Sequence, residues 1–220
     1  MGSKLTIGIA AWLAALVLAP PTPATLAAPR DSTRAVAAPA RTLAARLKAS
    51  GRAEASFERV VPDPFTGKLR ISRGKIALEP PDRVALEFPA TGERVTVRAD
   101  GGEWLQPKLK QWIELGGGEA KASLRWWSVL LSGDGGPAVA KELGRDRYVL
   151  VARSATAAGA DSAWVWLDRF GLPSRLEVAE EPGTVYRLRN WRFTHARGRS
   201  AFVIAPPAGY EIIRLRSRGR

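Results

Sequence analysis

The side chains that ordinarily perform chemistry are sparse in this chain. Its one histidine, His195, stands beside Arg197 and Arg199 in the turn-like stretch HARGRS, a poor setting for a catalytic base. A Ser-His-acid arrangement would have to use it, and no G-x-S-x-G elbow, metal-ligand cluster, phosphate loop or dinucleotide fingerprint accompanies it. Cysteine is absent, which excludes a thiolate nucleophile, a Cys-ligated metal, a disulfide and a lipobox cysteine. Asp63, Asp82, Asp100, Asp168 and Glu181 fall in turns and read as turn carboxylates rather than as an acid-base pair. What the chain has in quantity is large apolar surface. Eight tryptophans include Trp104, Trp112, Trp126, Trp127, Trp164, Trp166 and Trp191, and only Trp12 lies near the start. The chemistry open to such residues is burial of hydrocarbon, their own or a ligand's.

The elements that must position them are strands. From Gly74 to Leu115 the sequence alternates Ile76/Leu78, then Val84/Leu86/Phe88, then Val95/Val97, with charged residues or threonine at most intervening positions. Breaks at Pro80-Pro81, Gly92-Glu93 and Gly101-Gly102 separate the runs. A period of two on this scale predicts consecutive half-buried antiparallel strands writing one face of a curved sheet. Ala53 to Val61 and Lys68 to Leu78 predict a first hairpin across Thr66-Gly67. Later strands are predicted at Arg147 to Ala152, Ala163 to Leu167, Arg175 to Ala179, Thr184 to Phe193 and Ala201 to Ile204.

Three helical pieces interrupt this pattern. ARTLAARLKAS sets Leu43 and Leu47 one turn apart before Gly51, and ASLRWWSVLLSG sets Leu124, Trp127 and Leu131 at three- and four-residue spacing. After the glycines at 133, 135 and 136, a further short helix is predicted around Pro137 to Leu143. The total is roughly ten strands and three helices in one domain, a barrel or a sandwich.

Residues 1–28 carry one charge, Lys4, an apolar run from Leu5 to Ala19 and small residues near Ala27 and Ala28, the makings of a secretory signal peptide. The run of about fifteen residues is too short to span a bilayer, which takes roughly 20. Residues 29–39 read as a flexible tether, 40–213 as the folded domain and 214–220 as a basic tail. The net charge of +13 becomes +12 without the leader, so the exported surface stays basic and suits anionic headgroups or acidic partners. The tail lacks interleaved aromatics and does not read as a nucleic-acid site.

Four blocks, in order, resemble the periplasmic lipoprotein carriers of the LolA type: GKIALEPPDRVALEF, VTVRADGGEWLQPKLKQW, WVWLDRFGLPSRLEV and FVIAPPAGYEII. With the leader and the opening helix before ASFE, the resemblance covers nearly the whole mature chain. It implies an α+β fold, a half-open antiparallel β-barrel of about ten or eleven strands with a helical lid. By their place in it, Val84, Leu86 and Phe88 match the inward face, and Val97, Trp104, Trp112 and Trp166 join them as candidate cavity lining. Leu124, Trp127, Leu130 and Leu131 map to the lid, and Gly116 to Gly118 with Gly133 to Gly136 are candidate hinges. From the residues alone, the same face reads equally as a fully packed core. One position departs from the pattern: Pro80 stands where the family's lid-latching arginine precedes the proline, and its side chain donates nothing. Arg83 and Arg73 are the candidates to replace that arginine.

The function this implies is periplasmic: shielding lipoprotein acyl chains between an inner-membrane exporter and an outer-membrane acceptor, as a monomer, without a cofactor and without nucleic acid. Two alternatives stay open. One is a carrier of another lipid, such as a glycolipid or polyene lipid; the other is a lipid-sensing interaction module of the envelope.

Overall fold

The structure is a computed structural model that describes residues 40–63, 65–132, 138–144, 146–152, 162–179 and 183–215. The leader and tether lie outside the described residues, as does the glycine run at 133–136. Helix α1 (Arg41–Ser50) buries Leu43 and Leu47 and ends at Gly51, whose φ of 90° lets its N–H reach back to the Leu47 carbonyl at 2.7 Å.

Six strands follow: β1 (Arg52–Pro62), β2 (Leu69–Glu79), β3 (Arg83–Phe88), β4 (Glu93–Arg98), β5 (Gly101–Gln106) and β6 (Gln111–Leu115). Helix α2 (Gly117–Ser132) then leads to β7 (Ala138–Gly144), β8 (Arg147–Ala152), β9 (Ser162–Leu167), β10 (Pro173–Val178), β11 (Thr184–Thr194) and β12 (Glu211–Leu215). Among the described residues the twelve strands form one open sheet in the order β12-β6-β5-β4-β3-β2-β1-β11-β10-β9-β8-β7. Two meanders, β2 to β6 and β7 to β11, are thereby stitched together through β1. Every neighbouring pair is antiparallel except β12 with β6, which is parallel. The fold is α+β, a half-open barrel covered on its inner face by helices.

The alternation read from the sequence is the pleat of this sheet. One inner row runs Ala55, Ile76, Leu86, Val95, Trp104, Ile113 through successive partners, and a second runs Ala53, Leu78, Val84, Val97, Gly102, Leu115. Gly74 makes a close approach possible on this face: a Cβ there would stand 2.6 Å from the Phe57 ring and 2.2 Å from the Glu87 carbonyl.

Three expectations change. The segment predicted as a third helix is strand β7, because its ladder to β8 overrides the helix propensity of Ala, Lys, Glu and Leu. Ala201 to Ile204 is not a strand. A 3₁₀ turn (Arg199–Phe202) runs into extended chain that lies across the sheet, and Phe202 and Ile204 are buried while Val203 between them is exposed. The apolar alternation there was real, but no ladder goes with it. Finally, β12 continues through Arg214 and Leu215, two residues read as the start of the tail, and Arg214 pairs with Glu114 of β6 at 3.0 Å.

Candidate functional site: the covered inner face

Val84, Leu86, Phe88 and Val97 are all buried on the inner face, in one cluster with Leu124, Trp127, Leu130 and Leu131 of α2. The cluster extends through Ile76 and Leu78 to Phe57 and Leu188, and Leu43 and Leu47 of α1 close it from the side of β1 and β11. Trp104 shares the face by register, opposite Val95, and is half-buried.

Helix α2 does more than span a rim. Leu124, Trp126, Trp127, Val129, Leu130 and Leu131 are each less than 10% exposed, so the helix is apolar around most of its circumference, as a helix enclosed in a core must be. It packs on β4, β5 and β6, and Trp127 reaches across to β11, where its ring meets Tyr186 edge-on at 5.2 Å. From there Tyr186 contacts Phe57 at 6.0 Å and Phe57 contacts Phe88 at 5.2 Å, again edge-on. This aromatic chain joins helix to sheet. Arg59 caps its far end with a guanidinium 4.8 Å from the Phe88 ring centroid, while its Nε donates to Ser72 Oγ at 3.3 Å. The inner concavity is thus filled by the protein's own helix.

Two residues expected to line the cavity do not. Trp112 pairs with Leu105 and Ile212, which places it on the outer face, where its indole N–H donates to the Ile204 carbonyl at 2.8 Å. Its neighbour Ile113 takes the inner position. Trp166 also points outward, since Ala163, Val165 and Leu167 supply the inner side of β9. Its ring lies between Arg175 and Arg147, at 4.6 and 5.2 Å from the centroid. In both strands two adjacent residues are large and apolar, so alternation alone does not say which one faces in.

The candidate replacements for the latch arginine are on the outer face as well. Arg83 donates to the Pro80 carbonyl at 2.7 Å and pairs with Glu79 at 3.2 Å, and Arg73 pairs with Glu58 at 3.3 Å. Neither reaches α2. The residues missed by sequence reading are Phe57, Arg59, Tyr186 and Trp126. A signal existed for one of them: Arg59 follows Phe57 by two in a strand, which assigns it to the same face.

Two buried donors in this region stand out. The indole N–H groups of Trp104 and Trp126 are shielded from solvent and have no hydrogen-bond partner among the described residues. Leaving such a group unpaired costs about 1–3 kcal/mol. His195 is exposed in the connection after β11, and among the described residues no three His, Asp or Glu side chains converge as a metal site would require.

The outer face is covered differently. Residues 195–210 leave β11 and cross the sheet to β12, burying Phe202 against Ala77 and Ala85. Glu79, fully buried, accepts the backbone N–H groups of Arg197 and Gly198, both at 2.9 Å, and pairs with Arg83 and Arg52. Arg98 forms a bidentate pair with Glu103 at 2.7 and 2.9 Å and also donates to the Phe202 carbonyl. Glu103 further accepts from Thr96 at 2.6 Å and from the Ile204 N–H at 3.3 Å. Burial opposes the Glu103 charge, but Arg98, Thr96 and the Ile204 N–H outweigh it and hold the carboxyl below the usual carboxylate range.

No family model matches the chain, and no curated protein matches it in sequence. Among solved structures it is similar to an uncharacterized conserved protein from Thermus thermophilus, at 11% identity over 79% of this chain and 97% of that one, with a TM-score of 0.47. It is similar to a putative outer membrane lipoprotein-sorting protein domain from Vibrio parahaemolyticus, at 13% identity over 78% and 97%, with a TM-score of 0.43. A LolA superfamily protein from Nitrosomonas europaea is similar at 9% identity over 75% and 97%, with a TM-score of 0.40. No helix among the described residues is long and apolar enough to cross a membrane.

Proposed function

We propose that this protein is a periplasmic carrier whose inner face takes up acyl chains in exchange for helix α2, with acylated lipoproteins as the cargo. The observation that supports this reading most directly is the kind of cover α2 provides. It meets the sheet with hydrocarbon and rings, an interface an acyl chain reproduces without geometric demands.

The energies are of matching size. Six buried apolar side chains on α2 are worth roughly 9–18 kcal/mol of burial, at about 1.5–3 each. An acyl chain of about sixteen carbons brings about 12 kcal/mol at about 0.8 per methylene. Exchange between helix and chain is therefore near balance, the condition for a carrier that must both accept and release. The three consecutive glycines at 116–118, where α2 begins, supply a place for the backbone to turn as the helix moves. The unpaired indoles of Trp104 and Trp126 suit a cargo with ester or amide carbonyls, which accept the hydrogen bonds missing in the closed state.

Transfer on these terms needs no catalytic group. An exporter in the inner membrane supplies the cargo, and an acceptor at the outer membrane draws it off by offering a better apolar surface. The two partners and the export route rest on the leader and on the block resemblance.

Native mass spectrometry of the protein purified from its own envelope, with extraction of any bound lipid, tests the proposal. A bound lipopeptide is the expected result. A different bound lipid replaces the cargo and keeps the exchange. A lipid-free mass, together with failure to take up a fluorescent fatty acid, overturns the carrier reading.

A further inference from the structure

The outer face carries charge that its own fold does not use. Two grooves, of about 540 and 610 Å³, open there and meet at Ser56, Lys75 and Asn190. Five cations line the first and four the second, with Lys75 common to both, against the three carboxylates Glu54, Glu58 and Glu87. Those carboxylates are engaged. Glu58 takes both Arg187, at 2.7 Å, and Arg73, at 3.3 Å; Glu54 takes Arg52 at 2.8 Å, with Arg197 at 4.0 Å; and Glu87 takes Arg94 at 3.5 Å. Lys75, Arg189 and Arg192 are exposed and have no ion-pair partner among the described residues.

The register sets these three around one notch. Ser56 pairs with Arg189 on one side and with Lys75 on the other. Neighbouring strands lie about 4.8 Å apart, so two cationic backbone positions stand roughly 10 Å from each other with only a serine between them. The ladder between β1 and β11 slips at this place, between Glu54 and Ser56, and Asn190 takes a φ of 57°. Such a bulge re-aims side chains and is over-represented next to active sites. It leaves Arg189, Asn190 and Arg192 clustered on the side of the notch away from Lys75.

We propose that this notch is an anion site for a sugar-sized ligand bearing two phosphate groups. Two guanidiniums, an ammonium, a hydroxyl and an amide provide more directed donors than one carboxylate can accept, and each phosphate offers three acceptor oxygens. The groove volumes fall in the range of small-ligand sites, and Arg197 and Ala201 of the crossing segment line the first of them. The site also stands apart from the inner face. The second groove also touches Phe57 and Gly74, but Lys75, Arg189 and Arg192 pair with the outward residues Ser56 and Glu54, so the three cations stay in place whether or not acyl chains displace α2.

The same chemistry occurs in a free sugar bisphosphate and in the head group of a phosphorylated glycolipid, and the test distinguishes them. Glucose 1,6-bisphosphate is titrated at low ionic strength with calorimetry and backbone amide NMR, and vesicles of phosphatidylglycerol with and without a bisphosphorylated disaccharide lipid are assayed by flotation. Saturable shifts confined to residues 54–58, 75 and 187–192 are expected. Lys75→Glu with Arg192→Glu should weaken binding at least tenfold, Lys75→Gln by a smaller factor, and Lys108→Glu, on a distant exposed turn, not at all. Unchanged thermal unfolding of the variants excludes misfolding as the cause. Binding of the soluble probe alone assigns a free sugar phosphate, and selective binding of glycolipid vesicles assigns the head group. Shifts spread over the whole surface, equal affinity in the reversed variant, or no saturable binding of the soluble probe together with vesicle binding that ignores the phosphorylated lipid would each overturn the site.

Discussion

On the inner face, α2 is held by Leu124, Trp127, Leu130 and Leu131 against Val97, Phe88 and Tyr186. On the outer face, the crossing segment is held by Glu79, Arg98, Glu103 and Trp112, which reach its backbone at 197, 198, 202 and 204. Apolar contact is non-directional and loses little when partners slide or are replaced. Buried charge-assisted hydrogen bonds are satisfied in one geometry and heavily penalised in others. One sheet therefore carries a cover held by non-directional contact on one side and a cover held by directed, charged hydrogen bonds on the other.

That contrast can be broken most forcefully at Glu79. Glu79→Ala leaves Arg52 and Arg83 without their buried carboxylate and two backbone N–H groups unpaired, and should cost about 3–5 kcal/mol in denaturant unfolding. A loss below about 1 kcal/mol would show that the outer cover is not held as described. Next comes Phe88→Glu, which should weaken fatty-acid uptake at least tenfold while circular dichroism stays native. Arg59, now stacked on the ring, is placed to pair with the new carboxylate and keep the fold. Undiminished uptake by the folded variant would remove Phe88 from the exchanging surface.

Acid sharpens the contrast by acting first on the outer face. Glu103 is held below the ordinary carboxylate range, so its contribution is fully present above that range and is lost as pH falls through its lowered folded value. The hydrogen-exchange protection factor of the Ile204 amide, corrected for the intrinsic slowing of exchange in acid, should therefore fall once pH drops below the usual carboxylate range, before those of the α2 amides. Simultaneous loss on both faces would refute the separation. The smallest effect is expected from Trp112→Phe, which deletes one hydrogen bond to Ile204 at about 0.5–1.5 kcal/mol and leaves lipid uptake unchanged.

The elements were legible where one face of a strand is apolar and the other charged. RVALEF and ERVTVR could be read in only one register, and Leu43 with Leu47 marked α1 just as clearly. Legibility failed where both faces are apolar, as in QWIEL and WVWL, because parity is reset at each turn and only the ladder fixes it. It failed again at AVAKELG, whose composition favours a helix and whose partner strand decides otherwise. The crossing segment was hidden for another reason. Its anchors, Glu79, Arg98 and Glu103, lie about a hundred residues away, and alternation carries no information on such pairings.

The parallel pairing of β12 with β6 has a consequence for how the chain is made. β6 is synthesised in mid-chain, yet its outer edge is closed only by residues 211–215, which emerge about a hundred residues later. Until then an unpaired edge bearing Trp112 and Ile113 is open to pairing with another copy. A chain in this state depends on completing its own last strand before it meets a neighbour.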